Sequence, residues 1–380
     1  MAPAEHLLPD GGPRSTRGRA RRRERPGRDG AEYTSGVVEL AELDYVLPPE
    51  LIAQTPTPSR DASRLLVIDR ERGVFEDRRF AELPDLLRAG DCLVVNNSRV
   101  IPARVMTHDA GGRSVELLFI ESVGRSRWRA LLRPGRRGRA GVELVVGDAP
   151  AARLRIVSVE ADGSRVVERL DGTLESLMAT HGRPPLPPYI GRFAAPTAED
   201  HDRYQTVYAR PPGSIAAPTA GLHFTPALLD TLRRRGVEVH ELTLHVGPGT
   251  FRPIKTATVE EHVLPPERVV VPSSVADGVS RARAEGRRVV AVGTTTARAL
   301  ESAAERGRVQ PLDSTARIYI TPGYTFQVVD ALLTNFHLPR SSLLVLVAAL
   351  AGKELILKAY AHAVHAGYRF YSYGDATLIL

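Results

Sequence analysis

Between residues 93 and 170 the chain changes rhythm, and that change limits the fold more than any single motif. Short runs of alternating or β-branched residues follow one another there. They are Val115-Glu116-Leu117-Leu118-Phe119-Ile120, Trp128-Arg129-Ala130-Leu131-Leu132, Val142-Glu143-Leu144-Val145-Val146, Leu154-Arg155-Ile156-Val157-Ser158-Val159 and Arg165-Val166-Val167-Glu168-Arg169-Leu170. Gly, Asp and Ser punctuate them at short spacing, the pattern of an antiparallel barrel or small sandwich. On both sides the pattern alternates between helix and strand. A helix over 225–235 precedes a strand over 237–246, one over 274–285 precedes Val289-Val290-Ala291-Val292, and one over 353–365 precedes an aromatic strand over 368–373. Such alternation calls for an α/β architecture with a partly parallel sheet. The expected fold class is therefore α/β, a discontinuous α/β domain carrying an inserted antiparallel β-barrel-like domain. The expected boundaries are a basic arm at 1–35, a first α/β part at 36–92, the insert at 93–172 and a second α/β part at 173–380, with no internal repeat.

Chemistry-bearing residues gather in the α/β part. Ala217-Pro218-Thr219-Ala220-Gly221-Leu222-His223-Phe224 runs straight into a helix start. Thr225 can cap that helix, Pro226 fits its first turn, and Gly236 can close it. A small-residue loop at a helix N-terminus is a seat for an anion or polar ligand. In 237–246, Leu242, Leu244 and Val246 alternate onto one face and leave His245 on the other, at the strand's carboxyl end. Ligands of open α/β sheets bind beyond such ends. Val289–Val292 repeats the arrangement, running into Gly293-Thr294-Thr295-Thr296 and a helix with Arg298 and Glu301. The Gly-Lys-[Ser/Thr] ending of a nucleotide-hydrolase loop is missing, and no Gly-x-Gly-x-x-Gly follows a strand, which disfavours nucleotide hydrolases and nicotinamide enzymes. Asn335-Phe336-His337-Leu338-Pro339 places polar groups among leucines, and buried polar groups need partners. The C-terminal Phe370-Tyr371-Ser372-Tyr373-Gly374-Asp375-Ala376 is aromatic enough to dock rather than fray.

Composition narrows the class. Of 380 residues 43% are hydrophobic, enough for a large core. The longest apolar stretch, 343–351, is far short of the ~20 residues that span a bilayer. No N-terminal apolar segment of signal type is visible, so a cytoplasmic location is expected. The single cysteine, Cys92, excludes an intramolecular disulfide and a multi-cysteine zinc site, and within Cys92-Leu93-Val94-Val95 it reads as a core residue of a buried strand. No carboxylate or histidine cluster has metal spacing, so no metal is expected. The net charge of +7 suits a polyanion. Eight arginines against the lone acid Glu24 lie between Arg14 and Arg28, a composition that cannot order itself. Arg133, Arg136, Arg137 and Arg139 form a second basic group in a Gly-rich loop.

The motifs in order closely resemble those of the S-adenosylmethionine:tRNA ribosyltransferase-isomerase family of queuosine biosynthesis. To those above are added Ser63-Arg64-Leu65-Leu66, Asn96-Asn97-Ser98-Arg99-Val100-Ile101-Pro102-Ala103-Arg104, His181-Gly182, Pro187-Pro188-Tyr189-Ile190, Tyr204-Gln205-Thr206-Val207-Tyr208-Ala209, Leu244-His245-Val246-Gly247-Pro248-Gly249-Thr250-Phe251 and Glu261-His262. The resemblance runs from about residue 43 to 380. It implies the same two-domain organisation and transfer of the ribosyl part of S-adenosylmethionine to 7-aminomethyl-7-deazaguanine at the tRNA wobble position. The ribose rearranges to give epoxyqueuosine, with adenine and methionine released. S-adenosylmethionine is then a substrate, with no permanently bound cofactor. tRNA is the partner, no membrane is involved, and the chain acts as a monomer. The chemistry needs a base for an acidified C–H, a proton donor for departing adenine and a clamp for a carboxylate. Read onto this sequence, the catalytic candidates are His223, His245, Glu261, His262, His337 and Asp375. Candidates for the S-adenosylmethionine site are Thr219, Gly221, Thr294, Thr295, Arg298 and Asn335, and for RNA contact Arg64, Asn97, Arg99 and Arg104. His223, His245 and His337 are expected to share one pocket with Thr219, Glu261 and Asp375. One departure stands out: the family usually has a second histidine shortly after the acidic-His motif, where this chain has Pro265. Alternatives are a divergent paralogue acting on another nucleoside or small-molecule acceptor, and a noncatalytic RNA-binding protein.

Overall fold

The computed structural model describes residues 37–124, 126–147, 152–193, 195–251 and 254–380. The expected basic arm at 1–35 lies outside them. Strands and helices named here are numbered in chain order. The insert is a closed antiparallel barrel of six strands: β4 (Arg104–His108), β5 (Ser114–Gly124), β6 (Arg127–Arg133), β7 (Glu143–Val146), β8 (Ala152–Val159) and β9 (Arg165–Arg169). Their order round the barrel is β9-β6-β5-β4-β7-β8, closed by β8 on β9. Alternation explains it. Val115, Leu117 and Phe119 of β5 and Trp128, Ala130 and Leu132 of β6 point inward, while their neighbours face out. The helix α1 (Leu174–His181) stoppers the barrel with Leu174, Leu177 and Met178, capped at its start by Thr173. The strand β4, short and interrupted by polar residues, has no counterpart among the expected runs, yet it joins β5 to β7 and so closes the barrel.

The main sheet has nine strands. Its members are β1 (Arg64–Asp69), β2 (Val74–Arg79), β3 (Cys92–Asn96), β10 (Glu238–Leu244), β11 (Glu267–Val271), β12 (Val289–Val292), β13 (Leu312–Ala316), β14 (Ala331–Asn335) and β15 (Ala376–Ile379). The order is β13-β11-β10-β3-β12-β14-β15-β1-β2. The four central strands, β10, β3, β12 and β14, are parallel. One boundary expectation is corrected here. Leu93–Asn96, assigned to the insert, belong to β3 in the middle of the main sheet, and the barrel begins only at Arg104. All five β3 residues are buried, as a central strand covered on both faces requires.

Each buried strand splits its side chains between two cores. Cys92 and Val94, Ala291, and Leu66 and Ile68 face one side, against α3 (Ser273–Ala284), α4 (Thr294–Ser302), α5 (Ser342–Ala351) and α6 (Lys353–His365). Leu93 and Val95, Val290 and Val292, and Leu65 and Val67 face the other, against Phe80, Phe224 and Leu228, Leu229 and Leu232 of α2 (Pro226–Arg234). At about 1.5–3 kcal/mol per fully buried large aliphatic side chain, these two layers hold the sheet.

The tail docks, but not as expected. Residues 368–373 are not a strand. Tyr371 takes φ +75°, which breaks an extended run, and the strand is β15 a few residues later. It lies inside the sheet, parallel to β1 and antiparallel to β14.

Candidate active site

Parallelism decides where the chemistry gathers. The carboxyl ends of β3, β10, β12 and β14 lie at one edge of the sheet, so Ser98, His245, Thr294 and His337 emerge there together. The antiparallel neighbours bring their opposite ends to that edge, adding Glu267 from β11 and Asp375 just before β15. A cleft of about 440 Å³ opens there. Its floor holds His245, Thr294, Thr295, Glu267 and Arg298, and Leu264–Pro266, Tyr319 and Leu343 flank it. Its other wall is the barrel, through Glu121, Trp128, Arg129 and Asp162. Arg129 bridges those two acids, at 2.8 Å from Glu121 and 3.6 Å from Asp162. A smaller hollow of about 50 Å³ adjoins the cleft, sharing Val246, Thr294, Thr295 and Leu343 with it. Tyr189, Tyr204 and Tyr371 wall it, with Thr219, Asn335, Thr334 and His337 as its polar groups.

The three histidines do not share one pocket. His245 lines the large cleft, His337 the small hollow, and His223 a separate crevice beside Arg60 and Tyr373. Their hydrogen bonds separate them further. In His223, Nδ1 is 2.8 Å from Ser63 Oγ and Nε2 is 3.1 Å from Asn335 Nδ2. The Asn335 amide nitrogen also donates to the Tyr371 carbonyl, while its oxygen accepts from Thr219. This fixes the amide, so His223 Nε2 is the acceptor and Nδ1–H donates to Ser63. In His337, Nδ1 and Nε2 lie 3.2 Å from Tyr360 Oη and Thr334 Oγ1. Burial holds the pKa of each ring near 3, with the Arg369 charge adding to the effect at His223. Both rings are neutral and committed within the protein.

His245 differs. Its Nδ1 is 2.7 Å from Ser98 Oγ, and its Nε2 meets no protein partner among the described residues. Burial, then the charge of Arg268, lowers its pKa below the usual histidine value, so it too is neutral near pH 7. Gly213 lies beside the ring. A Cβ there would come within 2.7 Å of it, and the backbone has φ +151°.

The remaining candidates divide as plainly. Thr294, Thr295 and Arg298 line the cleft as expected. Arg298 donates to the Glu267 carboxylate, and Glu267 accepts from Gly247 N–H at 2.8 Å. Thr219 and Asn335 line the hollow. Gly221 lines none of these cavities. A Cβ on it would lie 2.2 Å from the Tyr208 hydroxyl, so close packing requires the glycine. The loop around it is buried through Ala217, Ala220, Leu222 and Phe224 rather than open as an anion seat. Asp375 lines none of these three either: its carboxylate accepts from Arg64 N–H at 2.9 Å and Arg369 N–H at 2.8 Å, tying the tail to β1. Glu261 is exposed, and His262 packs edge-on against Tyr319, outside the cleft. Of the four RNA candidates, Arg64 is bonded to Ala366 and Asp77 and stacks on Tyr368. Arg104 is buried against Leu186, Glu116 and Phe193. Asn97 bonds Glu241 and Thr243. Only Arg99 is exposed, on a two-residue strand paired with Pro212–Ser214 at the cleft's edge.

Comparison with known proteins adds a family model for the queuosine biosynthesis protein, which matches residues 40–379. The chain belongs to this family. It is 51% identical over 350 residues to the S-adenosylmethionine:tRNA ribosyltransferase-isomerase of Thermus thermophilus, covering 90% of this chain and 99% of that one. It is 50% identical over 347 residues to the enzyme of the same name from Moorella thermoacetica, covering 90% and 100%. The crystal structure of S-adenosylmethionine tRNA ribosyltransferase from Thermotoga maritima is similar, with TM-score 0.52 at 38% identity over 89% of this chain and 100% of that one. Against the family background, sequence reasoning missed Ser214, Gly213 and the barrel wall. The first two lie in Arg210-Pro211-Pro212-Gly213-Ser214, where a glycine and a serine look like ordinary turn residues. Glu121, Arg129 and Asp162 look like outward polar positions of barrel strands and turns, which they are. Their role depends on which outer face meets the sheet edge.

Proposed function

We propose that the chain transfers and isomerises the ribosyl moiety of S-adenosylmethionine onto 7-aminomethyl-7-deazaguanine in the wobble position of tRNA, at the cleft between barrel and sheet edge. The products are epoxyqueuosine-tRNA, adenine and methionine. The observation that carries this reading is a neutral histidine, its Nε2 without a partner among the described residues, in the 440 Å³ cleft between barrel and sheet edge, within a chain that matches the family from residue 40 to 379. Thr294, Thr295 and Arg298 supply donors for the polar parts of the sulfonium substrate, and Thr219 and Asn335, bonded to each other, wall the adjoining hollow. Arg99 at the rim suits a phosphate of the RNA.

The reading places the reaction in the cytoplasm, in a monomer, and needs neither membrane nor metal. Among the described residues no helix is long and apolar enough to cross a bilayer, and no three His, Cys, Asp or Glu side chains converge as metal ligands do. The test is incubation of the purified chain with S-adenosylmethionine and tRNA bearing the aminomethyl base, read by nucleoside mass spectrometry. Epoxyqueuosine is expected, undiminished by chelators. Unchanged precursor base with an intact sulfonium substrate would overturn the reading, and restoration by added metal would overturn its metal-free form.

A further inference from the structure

The bond between His245 and Ser98 belongs to a longer chain. Ser98 Oγ lies 2.6 Å from Ser214 Oγ, and Ser214 Oγ accepts from Val246 N–H at 2.9 Å. Both serines are fully buried, at 0% exposure. Each hydroxyl carries one proton, and a buried hydroxyl proton without an acceptor costs about 1–3 kcal/mol. Two arrangements are available. If His245 Nδ1–H donates to Ser98 and Ser98 to Ser214, the Ser214 proton has no acceptor. If Ser214 donates to Ser98, the Ser98 proton goes to His245 Nδ1 and both hydroxyl protons are used. The second arrangement leaves the ring proton on Nε2, the nitrogen that meets no partner among the described residues.

We infer that Ser98 and Ser214 are positioning residues that hold His245 as its Nε2–H tautomer, so that it serves the reaction as a hydrogen-bond donor to the charge developing on the departing purine and not as the base that removes the C–H proton. No proton changes hands at this donor. A neutral imidazole stabilises negative charge by orientation alone, as neutral electrophilic histidines do elsewhere. Gly213 makes room for this placement, since a Cβ there would overlap the ring at 2.7 Å. The purine assignment rests on the function proposed above, whereas the tautomer assignment stands on the hydrogen bonds alone.

The two are therefore tested separately. In the full chain labelled with nitrogen-15 histidine, long-range nitrogen–proton correlation without substrate reads the tautomer. The His245 signals are identified by their loss in His245→Gln. The expected pattern is a protonated Nε2 and a bare Nδ1 in the wild-type chain, and a mixture of tautomers in Ser98→Ala and Ser214→Ala variants whose melting shows them folded. A protonated Nδ1 in the wild type, or an unchanged pattern in both serine variants, overturns the proposal. For the donor role, His245→Gln keeps an amide N–H near the Nε2 position but cannot act as a base. It should turn over at least tenfold faster than His245→Ala, and equal rates would overturn the donor role. If the wild type converts no substrate at all, the functional reading fails while the nitrogen spectrum still decides the tautomer.

Discussion

The cleft around His245 and the interior around His223 and His337 lie along the same sheet edge but use histidine in opposite ways. In the interior both ring nitrogens of each histidine are bonded to Ser63, Asn335, Tyr360 or Thr334. At the cleft one nitrogen is anchored and the other is left for a ligand. A histidine in a motif is thus a poor guide to chemistry until its second nitrogen is accounted for. The interior pair behaves as core that happens to be polar, and the cleft histidine keeps one ring nitrogen without a partner among the described residues.

Acid should expose this contrast most strongly. The unfolded chain takes up protons on His223 and His337 near pH 6.5, whereas the folded chain resists until near pH 3. Stability from these two rings is full above about pH 6.5 and is lost as pH falls from there towards 3, at about 1.4 kcal/mol per pH unit for each. Between pH 7 and 5 the folded-to-unfolded ratio should drop roughly a thousandfold from this source, and His223→Gln with His337→Gln should flatten the slope. Denaturant titrations across pH measure it; a slope unchanged by both replacements would place the protons elsewhere.

Next in size is turnover. His245→Ala should lower single-turnover rates by roughly a hundredfold or more while leaving the melting temperature within a few degrees. His337→Ala should instead melt early and lose activity in step with the folded fraction. If the two variants behave alike, the division drawn between cleft and interior is wrong. A smaller effect is expected from Gly213→Ala, whose methyl group would meet the His245 ring at 2.7 Å. Displacing the ring should slow turnover about tenfold without removing any hydrogen-bonding side chain, since small misplacements of a reacting group are costly. The smallest effect belongs to the rim. Arg99→Glu should weaken tRNA binding roughly three- to tenfold and reduce its salt dependence by about one phosphate contact. Arg104→Glu should show its cost in the melt, since that guanidinium is buried.

Much of the fold could be read from the sequence, because periodicity is local. The strands β6, β8 and β9 and the helices α2, α3 and α6 lie within a residue or two of where the pattern puts them, while β5 starts where expected and runs on past Ile120 to Gly124. What failed depended on tertiary partners. The strand β3 carries no mark that says which sheet it joins, and β4 is too short and too polar to announce itself. In the candidate site, His245, Thr294 and Thr295 line the cleft where the pattern points because each follows or begins an element at a strand's carboxyl end, a position sequence reveals, and Arg298 lies about one turn into the same helix. Asp375, Arg64 and Arg104 were misread because charge in sequence suggests exposure or chemistry. Here each charge is absorbed by backbone groups or neighbouring rings that only folding supplies.

The place of β15 has a consequence for how the chain is made. Residues 376–379 wedge between β14 and β1, so the β1–β2 hairpin, synthesised long before β15, cannot join the sheet until that strand has been made. Until then two open strand edges, at β1 and at β14, face solvent, the kind of edge that invites mispairing between nascent chains. A message truncated just before codon 376 would encode every residue of the cleft and still leave the sheet in two pieces.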